Sequence, residues 1–265
     1  MEIESRFVHL QALWRQLAED LEGPATDALL LFMKRLCELL DGDDCHWYAG
    51  RHGASPCDVF SLEIFAGWWL VDIVKMKPET GTHDDIQQRY FELIKKHGDD
   101  PLTVHAIEHA GQTRVHLRQD CVGDDEWDRH WKYRDFLEPI YGVKERMHAI
   151  YHLAPECEAY LLIDRSADKA RFSEEDRALA YLALSGAGQL MRRLFFERGL
   201  LPPAMKMLSS RERDTFKLLL SDLSEKEIAT ELGVSPSTAH QYVAGIYHIF
   251  RVRGRSGFLS LCRQF

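Results

Sequence analysis

Histidine and cysteine are the residue types in this sequence that could supply metal-binding or nucleophilic chemistry. The 13 histidines form no H-E-x-x-H motif, and no serine stands in a G-x-S-x-G turn. The 6 cysteines include no C-x-x-C pair, and the group Cys45, His46, His52 and Cys57 fits no standard zinc spacing. We therefore expect reduced thiols, no metal, no cofactor and no enzymatic activity.

The last part of the chain instead carries three signals for the start of a helix. Ser209 and Ser224 each precede a glutamate by three positions, which is the pattern of a capping box, and Ser235 precedes a proline. A glycine between the second and third signals can close the helix that lies there. The spacing predicts two helices, 225–232 and 236–250, joined by a short turn, which is the geometry of a helix-turn-helix.

One face of the second predicted helix is mainly polar. Its outward side chains are Ser237, His240, Gln241, Ala244 and His248, while the apolar residues of both helices can form one small core. Glutamine can bond both N6 and N7 of adenine, so Gln241 and its neighbour His240 are the predicted contacts to base edges. An ordinary solvated helix face is the alternative for each of these residues.

The segment 208–256 resembles the LuxR-type, or GerE-type, helix-turn-helix family. The matching positions are Leu208, Ser209, Arg211, Glu212, Ser224, Lys226, Glu227, Ile228, Ala229, Leu232, Val234, Ser235, Thr238, Val252 and Arg255. The resemblance implies a four-helix DNA-binding module that works as a homodimer on double-stranded DNA. We predict DNA contacts at Lys226, Ser235, Ser237, Thr238, His240, Gln241, Tyr242 and Arg255.

The sequence departs from the family pattern on the second helix. Where the family usually has Val-Lys-x-His after Thr238, this chain has Ala239-His240-Gln241-Tyr242, and Ile249 replaces a frequent lysine. Each lost lysine removes a neighbour for DNA phosphate, so we hypothesise weaker or partner-dependent binding, with a salt slope lower by about one unit per contact. The alternative is a protein-interaction regulator whose DNA reader has degenerated.

The elements in front of this segment mix helices and strands. Apolar stripes over 3–21 and 29–40 predict helices that either dock on their own domain or pair with a partner subunit. The predicted strands are 45–51, 62–76, 145–153 and 157–165, and further helices are predicted at 85–97 and 173–198. We expect an α+β fold: an α/β sandwich over residues 1–200, with an antiparallel sheet flanked by helices, and a four-helix domain over residues 205–265.

The front domain has no phosphorylation-receiver pattern and no G-x-x-x-x-G-K-[ST] nucleotide motif. Segments around Tyr90, Trp131 and Phe172 give it a diffuse resemblance to GAF/PAS-like sensor domains. We predict a ligand pocket lined by Trp47, Trp68, Tyr90, Asp100 and Trp131, with Asp100 as the polar anchor. The alternative is that the aromatic residues only fill the core.

An acyl-homoserine-lactone receptor is a narrower alternative. Such sensors carry W-x-x-x-Y followed by Asp-Pro. Tyr90 and Asp100-Pro101 occur here in that order, but Ile86 stands where the tryptophan should be and the spacing differs by one. The indole that is expected to donate to the lactone carbonyl is therefore missing.

Charge is distributed unevenly along the 265 residues. The net charge of −9 divides into −12 for residues 1–205 and +3 for residues 206–265, so the tail tolerates DNA phosphate better than the rest. The composition, 45% hydrophobic and 28% charged, is that of an ordinary globular protein. Neither a secretory signal nor a membrane-spanning apolar run is visible, so we expect a cytoplasmic protein with no membrane partner.

Overall fold

The computed structural model of the chain describes residues 3–19, 24–53, 62–77 and 83–265. Its strands are β1 (Asp44–His52), β2 (Leu62–Phe65), β3 (Trp68–Lys75), β4 (Arg114–Leu117), β5 (Val143–Ala154) and β6 (Cys157–Ser166). The helices of the front part are α1 (Ile3–Glu19), α2 (Ala25–Leu40), α3 (His83–His97), α4 (Pro101–Glu108), α5 (Arg118–Cys121), α6 (Asp124–Trp127), α7 (Glu138–Tyr141), α8 (Glu174–Gly186) and α9 (Gly188–Phe196). A π-helical segment, Lys132–Leu137, precedes α7. The predicted α+β class is confirmed.

The strands form one antiparallel sheet in the order β2-β3-β1-β6-β5-β4. Its longest pairing is the β5–β6 hairpin, which turns at Pro155-Glu156. β1 lies beside β6, with Tyr48 opposite Tyr160. The strands predicted at 45–51, 145–153 and 157–165 are confirmed, whereas the short edge strand β4 had not been predicted.

The strand predicted over 62–76 is two strands. The chain turns at Ala66-Gly67, so that Phe65 pairs with Trp68 in a hairpin. Both turn residues have positive φ, 48° and 76°, as a two-residue turn of type I′ requires. Alanine is an unusual first residue for such a turn, so only the glycine signalled it.

The long helix predicted after Ser173 is also two helices, α8 and α9. The capping box that starts α8 is present as predicted. The helix breaks at Gly186-Ala187-Gly188, where glycine, a poor helix former, occurs twice in three residues. The side chains of Trp14 and Tyr151 lie against the two glycines, where a Cβ would collide, so these positions require glycine.

Helices cover both faces of the sheet. On one face, α1, α2, α8 and α9 enclose an apolar core that contains Trp47, Met147 and Leu161. On the other face, α3, α4 and the π-helical segment cover a smaller apolar cluster that includes Tyr90 and Phe136. Charged side chains are buried beside this second cluster, and they define the candidate site below.

The first two helices dock on their own domain. The four residues of the α2 stripe, Leu29, Met33, Leu36 and Leu40, are all buried, which confirms that prediction. α1 buries Leu10 and Leu17, but Phe7 of the same stripe is 48% exposed. Within the described ranges, no helix is both long and apolar enough to cross a bilayer.

The tail forms the four predicted helices: α10 (Ser210–Leu219), α11 (Glu225–Leu232), α12 (Pro236–Ile249) and α13 (Arg255–Cys262). The hydroxyls of Ser209, Ser224 and Ser235 each accept a hydrogen bond from the backbone N–H three residues later, which confirms the three predicted helix starts. Gly233 ends α11 with φ 66°, a left-handed conformation that favours glycine.

The front and tail cores are connected by α9. Phe195 packs edge-to-face against Trp47 of the front core, whereas the next residue, Phe196, belongs to the tail core. Asp72 of β3 contacts Arg198 at 2.5 Å and Arg213 of α10 at 3.1 Å. The tail is therefore docked against the sheet by packing and by charge. The predicted domain boundary stays a prediction.

Candidate functional site

A cavity of about 110 Å³ lies between the sheet and the layer of α3, α4 and the π-helical segment. Its apolar walls include Ile64, Leu70, Ile86, Ala106, Ile107 and Phe136. The rest of its lining is mainly polar and charged, and it comes from the sheet, α3, the start of α4, the π-helical segment and α7. A cavity of this size has more room than a single water molecule needs.

Strand alternation decides which residues of β1 reach the cavity. Successive side chains of a strand point to opposite faces of the sheet. His46 and Tyr48 line the cavity, whereas Trp47 lies between them in the apolar core on the other face, 5.9 Å from Phe195 between ring centroids. Trp47 is therefore corrected to a core residue, and we remove it from the ligand site.

The same alternation separates the cysteine–histidine group that the sequence offered as a weak metal candidate. Cys45 is buried in the apolar core, and His46 faces the cavity on the opposite side of the sheet. Cys57 lies outside the described residues. Cys45 and His46, the adjacent described members of this group, are therefore kept apart by the sheet.

Asp100 lies at the polar wall of the cavity. Its carboxylate caps α4 by accepting a hydrogen bond from the Leu102 backbone N–H at 3.1 Å. The hydroxyls of Tyr90 and Thr103 donate to its other oxygen at 3.2 and 3.0 Å. The structure thus brings together Tyr90 and Asp100, two of the residues that the sequence predicted for a ligand site.

Lys132 neutralises Asp100. Its Nζ lies 2.8 Å from Asp100 Oδ2, and both side chains are buried. Burial opposes the carboxylate charge, but the ammonium outweighs burial, and the pKa of Asp100 falls to about 2. The ammonium also lies 4.2 Å from the ring centroid of Tyr90 and 4.9 Å from that of Phe136. A ligand that binds Asp100 must share it with this amine.

Further cations reach the cavity from the sheet. Arg146 lines it and donates two hydrogen bonds of 2.7 Å to Asp164. Burial and this guanidinium lower the pKa of His148 to about 3, so its imidazole is neutral at pH 7. Burial also lowers the pKa of Lys75, another lining residue, to about 8. The polar wall thus favours a ligand with hydrogen-bond acceptors or negative charge.

The other two predicted tryptophans support the cavity from behind. Trp68 packs in a cluster with Ile107 and Tyr160, two residues that line the cavity. Trp131 contacts the ring of Tyr90, with 6.0 Å between centroids. Neither tryptophan belongs to the lining of the cavity, so both are corrected from wall residues to packing residues.

Sequence reasoning missed Lys132, Arg146 and His148. Arg146 and His148 alternate with the buried Met147 on β5, so the period of two could have placed them together on the second face. Lys132 carried no comparable signal, because it lies in a π-helical segment that the sequence pattern does not predict.

α12 exposes the face that was predicted to contact DNA. Ser237, His240 and Gln241 are exposed, whereas Val243 and Ile246 are buried in the tail core. The described structure therefore separates an inner packing face of α12 from an outer polar face, which is the arrangement that reading a major groove requires.

Two of the predicted DNA contacts have partners within the tail. His240 Nδ1 lies 2.9 Å from the carboxylate of Glu225. Arg255 donates hydrogen bonds to the backbone carbonyls of Ser221 and Leu223, which braces the start of α13 against the loop after α10. Arg255 thus stabilises the tail fold, and its guanidinium is less available for a phosphate.

Comparison with known proteins places the tail in a family. Residues 206–261 match the family described as bacterial regulatory proteins, luxR family. The chain is 40% identical over 50 residues to the spore germination protein GerE of Bacillus subtilis (strain 168). The aligned segment covers 19% of this chain and 68% of that protein. This chain belongs to the luxR family. It is a DNA-binding transcription regulator, as the sequence resemblance implied.

A solved structure shares the fold of this luxR-family chain. The structure described as SdiA in complex with octanoyl-rac-glycerol has 14% sequence identity and a TM-score of 0.50, and the match covers 99% of this chain and 95% of that chain. The VqsR LBD domain from Pseudomonas aeruginosa has 17% identity and a TM-score of 0.44, covering 69% of this chain and 93% of that one. At such identity, the first comparison shows a common fold and nothing finer.

One departure from the luxR-family pattern has a structural explanation. Ile249, which replaces a frequent lysine, is only 3% exposed and packs in the tail core. In this chain, position 249 is therefore a packing position of the tail core, and our hypothesis of a lost phosphate neighbour there is not supported. The changed residues at 239–242 include exposed positions, so the hypothesis still applies to them.

Proposed function

We propose that this luxR-family regulator binds a small amphipathic molecule in the cavity of its front domain, and that the bound molecule controls DNA binding by a homodimer. The proposal rests on one observation: Asp100, Tyr90 and Lys132 form a buried polar group beside the apolar walls of the cavity. Burying a charged pair adds little stability. Polar groups that converge on an apolar pocket are the usual form of a ligand site.

The polar part of the ligand is expected to be an acceptor, such as an ester carbonyl or a carboxylate. Asp100 already receives hydrogen bonds or charge from several neighbours, so it has little capacity for a further donor. Lys75, Lys132 and Arg146 are cationic donors in the lining of the cavity. The apolar part of the ligand would lie against Ile64 and Leu70.

The solved structure of SdiA, as described, holds octanoyl-rac-glycerol, a molecule with an acyl chain and a polar head. A ligand of that class fits the two kinds of wall in this cavity. An acyl-homoserine lactone is the second candidate. It is favoured by the position of Tyr90 and Asp100, but Ile86 lines the cavity without a group that can donate to a lactone carbonyl.

Thermal unfolding with two probes tests the ligand class. We expect octanoyl-rac-glycerol to raise the melting temperature more than an acyl-homoserine lactone of equal chain length. A ligand present at 100 times its Kd adds about 2.7 kcal/mol to the free energy of unfolding. Ala106→Phe, which fills the cavity, should abolish the shift. Ala167→Phe adds the same ring at an exposed position in the turn after β6 and should leave the shift unchanged. An equal shift in both variants, or no shift with either probe, would contradict the proposal.

For DNA recognition, we propose that α12 enters the major groove. The proposed contacts are Lys226, Ser235, Ser237, Thr238, His240, Gln241 and Tyr242, with Arg255 mainly as a brace. In fluorescence anisotropy with a fragment of the protein's own promoter, Gln241→Ala should weaken binding about tenfold or more and relax sequence preference. Lys226→Gln should weaken binding to all DNA alike. Unchanged affinity in both variants would show that this face does not read DNA.

We further propose that α1 and α8 pair two subunits. These helices pack together, and they expose Phe7 (48%), Val8 (64%) and Tyr181 (46%). Exposed apolar side chains grouped in this way mark interaction surfaces. Two paired chains could present their α12 helices to half-sites about 34 Å apart. Sedimentation of Val8→Glu and Tyr181→Glu variants should show monomers where the unmodified protein is a dimer; dimers in both variants would contradict this surface.

The second candidate function is a protein-interaction regulator with a degenerate reader, which the altered residues at 239–242 favour. Retardation of promoter DNA by the dimer decides between the two. Either function would operate in the cytoplasm, where bacterial DNA and its regulators meet.

A further inference from the structure

Three histidines outside the cavity and the DNA reader lie together at the edge of the sheet. His105 and His109 are four residues apart at the end of α4, and His116 lies on the edge strand β4. One ring nitrogen from each histidine lies within 4.8 Å of the others. Among the described residues, this is the only group of three or more metal-ligating side chains that converge in this way.

The distances between the rings match those of a ligand set. His105 Nε2 and His116 Nδ1 are 3.2 Å apart. In a tetrahedral site with metal–nitrogen distances of about 2.0–2.1 Å, two ligating nitrogens are about 3.3 Å apart. The ring centroid of His109 lies 4.3 Å from that of His105 and 5.4 Å from that of His116. Because His109 is exposed, a small rotation can bring it into the same shell.

The hydrogen bonds leave lone pairs for an ion. His109 Nδ1 lies 2.8 Å from the carbonyl oxygen of His105, and since a carbonyl only accepts, Nδ1 carries the proton and Nε2 the lone pair. Metal-bound histidines commonly donate their other N–H to a carbonyl in this way. His116 Nε2 is buried and has no hydrogen-bond partner among the described residues. A single hydrogen bond between His105 and His116 therefore does not explain why the three imidazole rings lie together.

We propose that His105, His109 and His116 bind one divalent transition-metal ion, with Zn²⁺ as the preferred species. Imidazole nitrogens suit zinc, copper and nickel, whereas magnesium and calcium prefer oxygen ligands. Three histidines leave a fourth position for water or for a group of another molecule. The exposure of His109 lets the ion enter from solution.

The ion would join α4 to β4 next to the ligand cavity. Ala106 and Ile107, which lie between His105 and His109 in the sequence of α4, line the cavity. On the strand side, His116 is the cross-strand partner of His148, which also lines the cavity. Metal binding is therefore expected to stabilise one wall of the cavity. The metal site does not depend on the proposed ligand, and it can be tested without one.

The test uses the full chain without a histidine tag, stripped of metal with a chelator. Calorimetric titration with ZnCl₂ should show one ion per chain, and Co²⁺ in its place should give the visible absorption of a four-coordinate, nitrogen-rich site. His109→Gln and His116→Gln should each lower Zn²⁺ affinity at least about tenfold. His248→Gln removes an exposed histidine of the tail and should leave the affinity unchanged.

Substoichiometric binding by the unmodified chain would overturn the inference. So would equal affinity in the His109→Gln/His116→Gln double variant, because the ion would then bind elsewhere. If circular dichroism shows that His116→Gln does not fold, His109→Gln decides alone, since its side chain is exposed and its loss leaves the packing of the sheet intact.

Discussion

The two faces of the front-domain sheet bury different chemistry, although the same strands supply both. The face under α2 and α9 buries Trp47 and Met147 in the apolar core. The face under α3 and α4 buries the ion pairs of Asp100 with Lys132 and of Arg146 with Asp164. Because neighbouring residues of a strand point to opposite faces, one strand can stabilise the fold and line a binding cavity at once.

This difference indicates what each face is for. Apolar burial contributes stability in proportion to the area removed from water. A buried ion pair often contributes less than a well-packed apolar pair, because both ions lose their hydration. We therefore expect substitutions on the two faces to differ in size, in how they combine and in their response to pH.

The largest effect is expected on the apolar face. Trp47 is fully buried, so Trp47→Ala should lower the free energy of unfolding by about 4 kcal/mol through lost burial and the cavity that it leaves. Urea unfolding followed by circular dichroism measures this. Trp69→Ala, at a half-buried position of β3, is the matched control and should cost less. Equal losses at the two positions would remove the distinction between core and periphery.

On the charged face, the loss should depend on which partner remains. Lys132→Met should lower the free energy of unfolding by about 3 kcal/mol, because Asp100 is left buried without its cation. Adding Asp100→Asn should recover part of that loss, since no unpaired charge remains. The same urea titrations measure both variants. A double variant less stable than Lys132→Met alone would show that the pair stabilises the fold as strongly as apolar packing does.

Acid should weaken the charged face selectively. The pKa of Asp100 is about 2 in the folded chain, below the ordinary 3.8. Its contribution is therefore complete above about pH 4 and is lost as the pH falls toward about 2, a change of about 2 kcal/mol. Denaturant unfolding at a series of pH values should show a shallower acid loss in Asp100→Asn. Parallel pH profiles for the variant and the unmodified chain would contradict this.

The smallest effect is expected at Tyr90. Tyr90→Phe removes one donor to Asp100, which keeps the hydrogen bonds from Leu102 and Thr103, so the free energy of unfolding should fall by about 1 kcal/mol. Binding of the ligand should weaken more than stability does, because the hydroxyl faces the cavity. Thermal unfolding with and without octanoyl-rac-glycerol separates the two effects. A large loss of stability with unchanged binding would assign Tyr90 to the core.

The tail could be predicted from the sequence because its determinants are local. Ser224 and Glu227 are three residues apart and fix the start of α11 with no help from the rest of the chain. The polar face of α12 follows from helical periodicity in the same way. β1, β5 and β6 were also predictable, since alternation and turn residues are short-range signals, whereas β4 was missed and the strand predicted over 62–76 is two strands.

The cavity could be predicted only in part, because tertiary contacts make it. Tyr90 and Asp100 came from a motif, but Lys132 reaches Asp100 from a π-helical segment 32 positions away. Trp47 was misassigned because an aromatic side chain suits a core and a pocket equally well. The close contacts of Trp14 with Gly186 and of Tyr151 with Gly188 are likewise tertiary, and no local pattern connects these residues.

Native mass spectrometry of the protein purified from its own host tests the central claim, that the cavity holds a small molecule. We predict a bound organic molecule on the unmodified chain and on Ala167→Phe, and none on Ala106→Phe, whose added ring fills the cavity. A bare chain in all three proteins, or the same bound mass in all three, would contradict the claim.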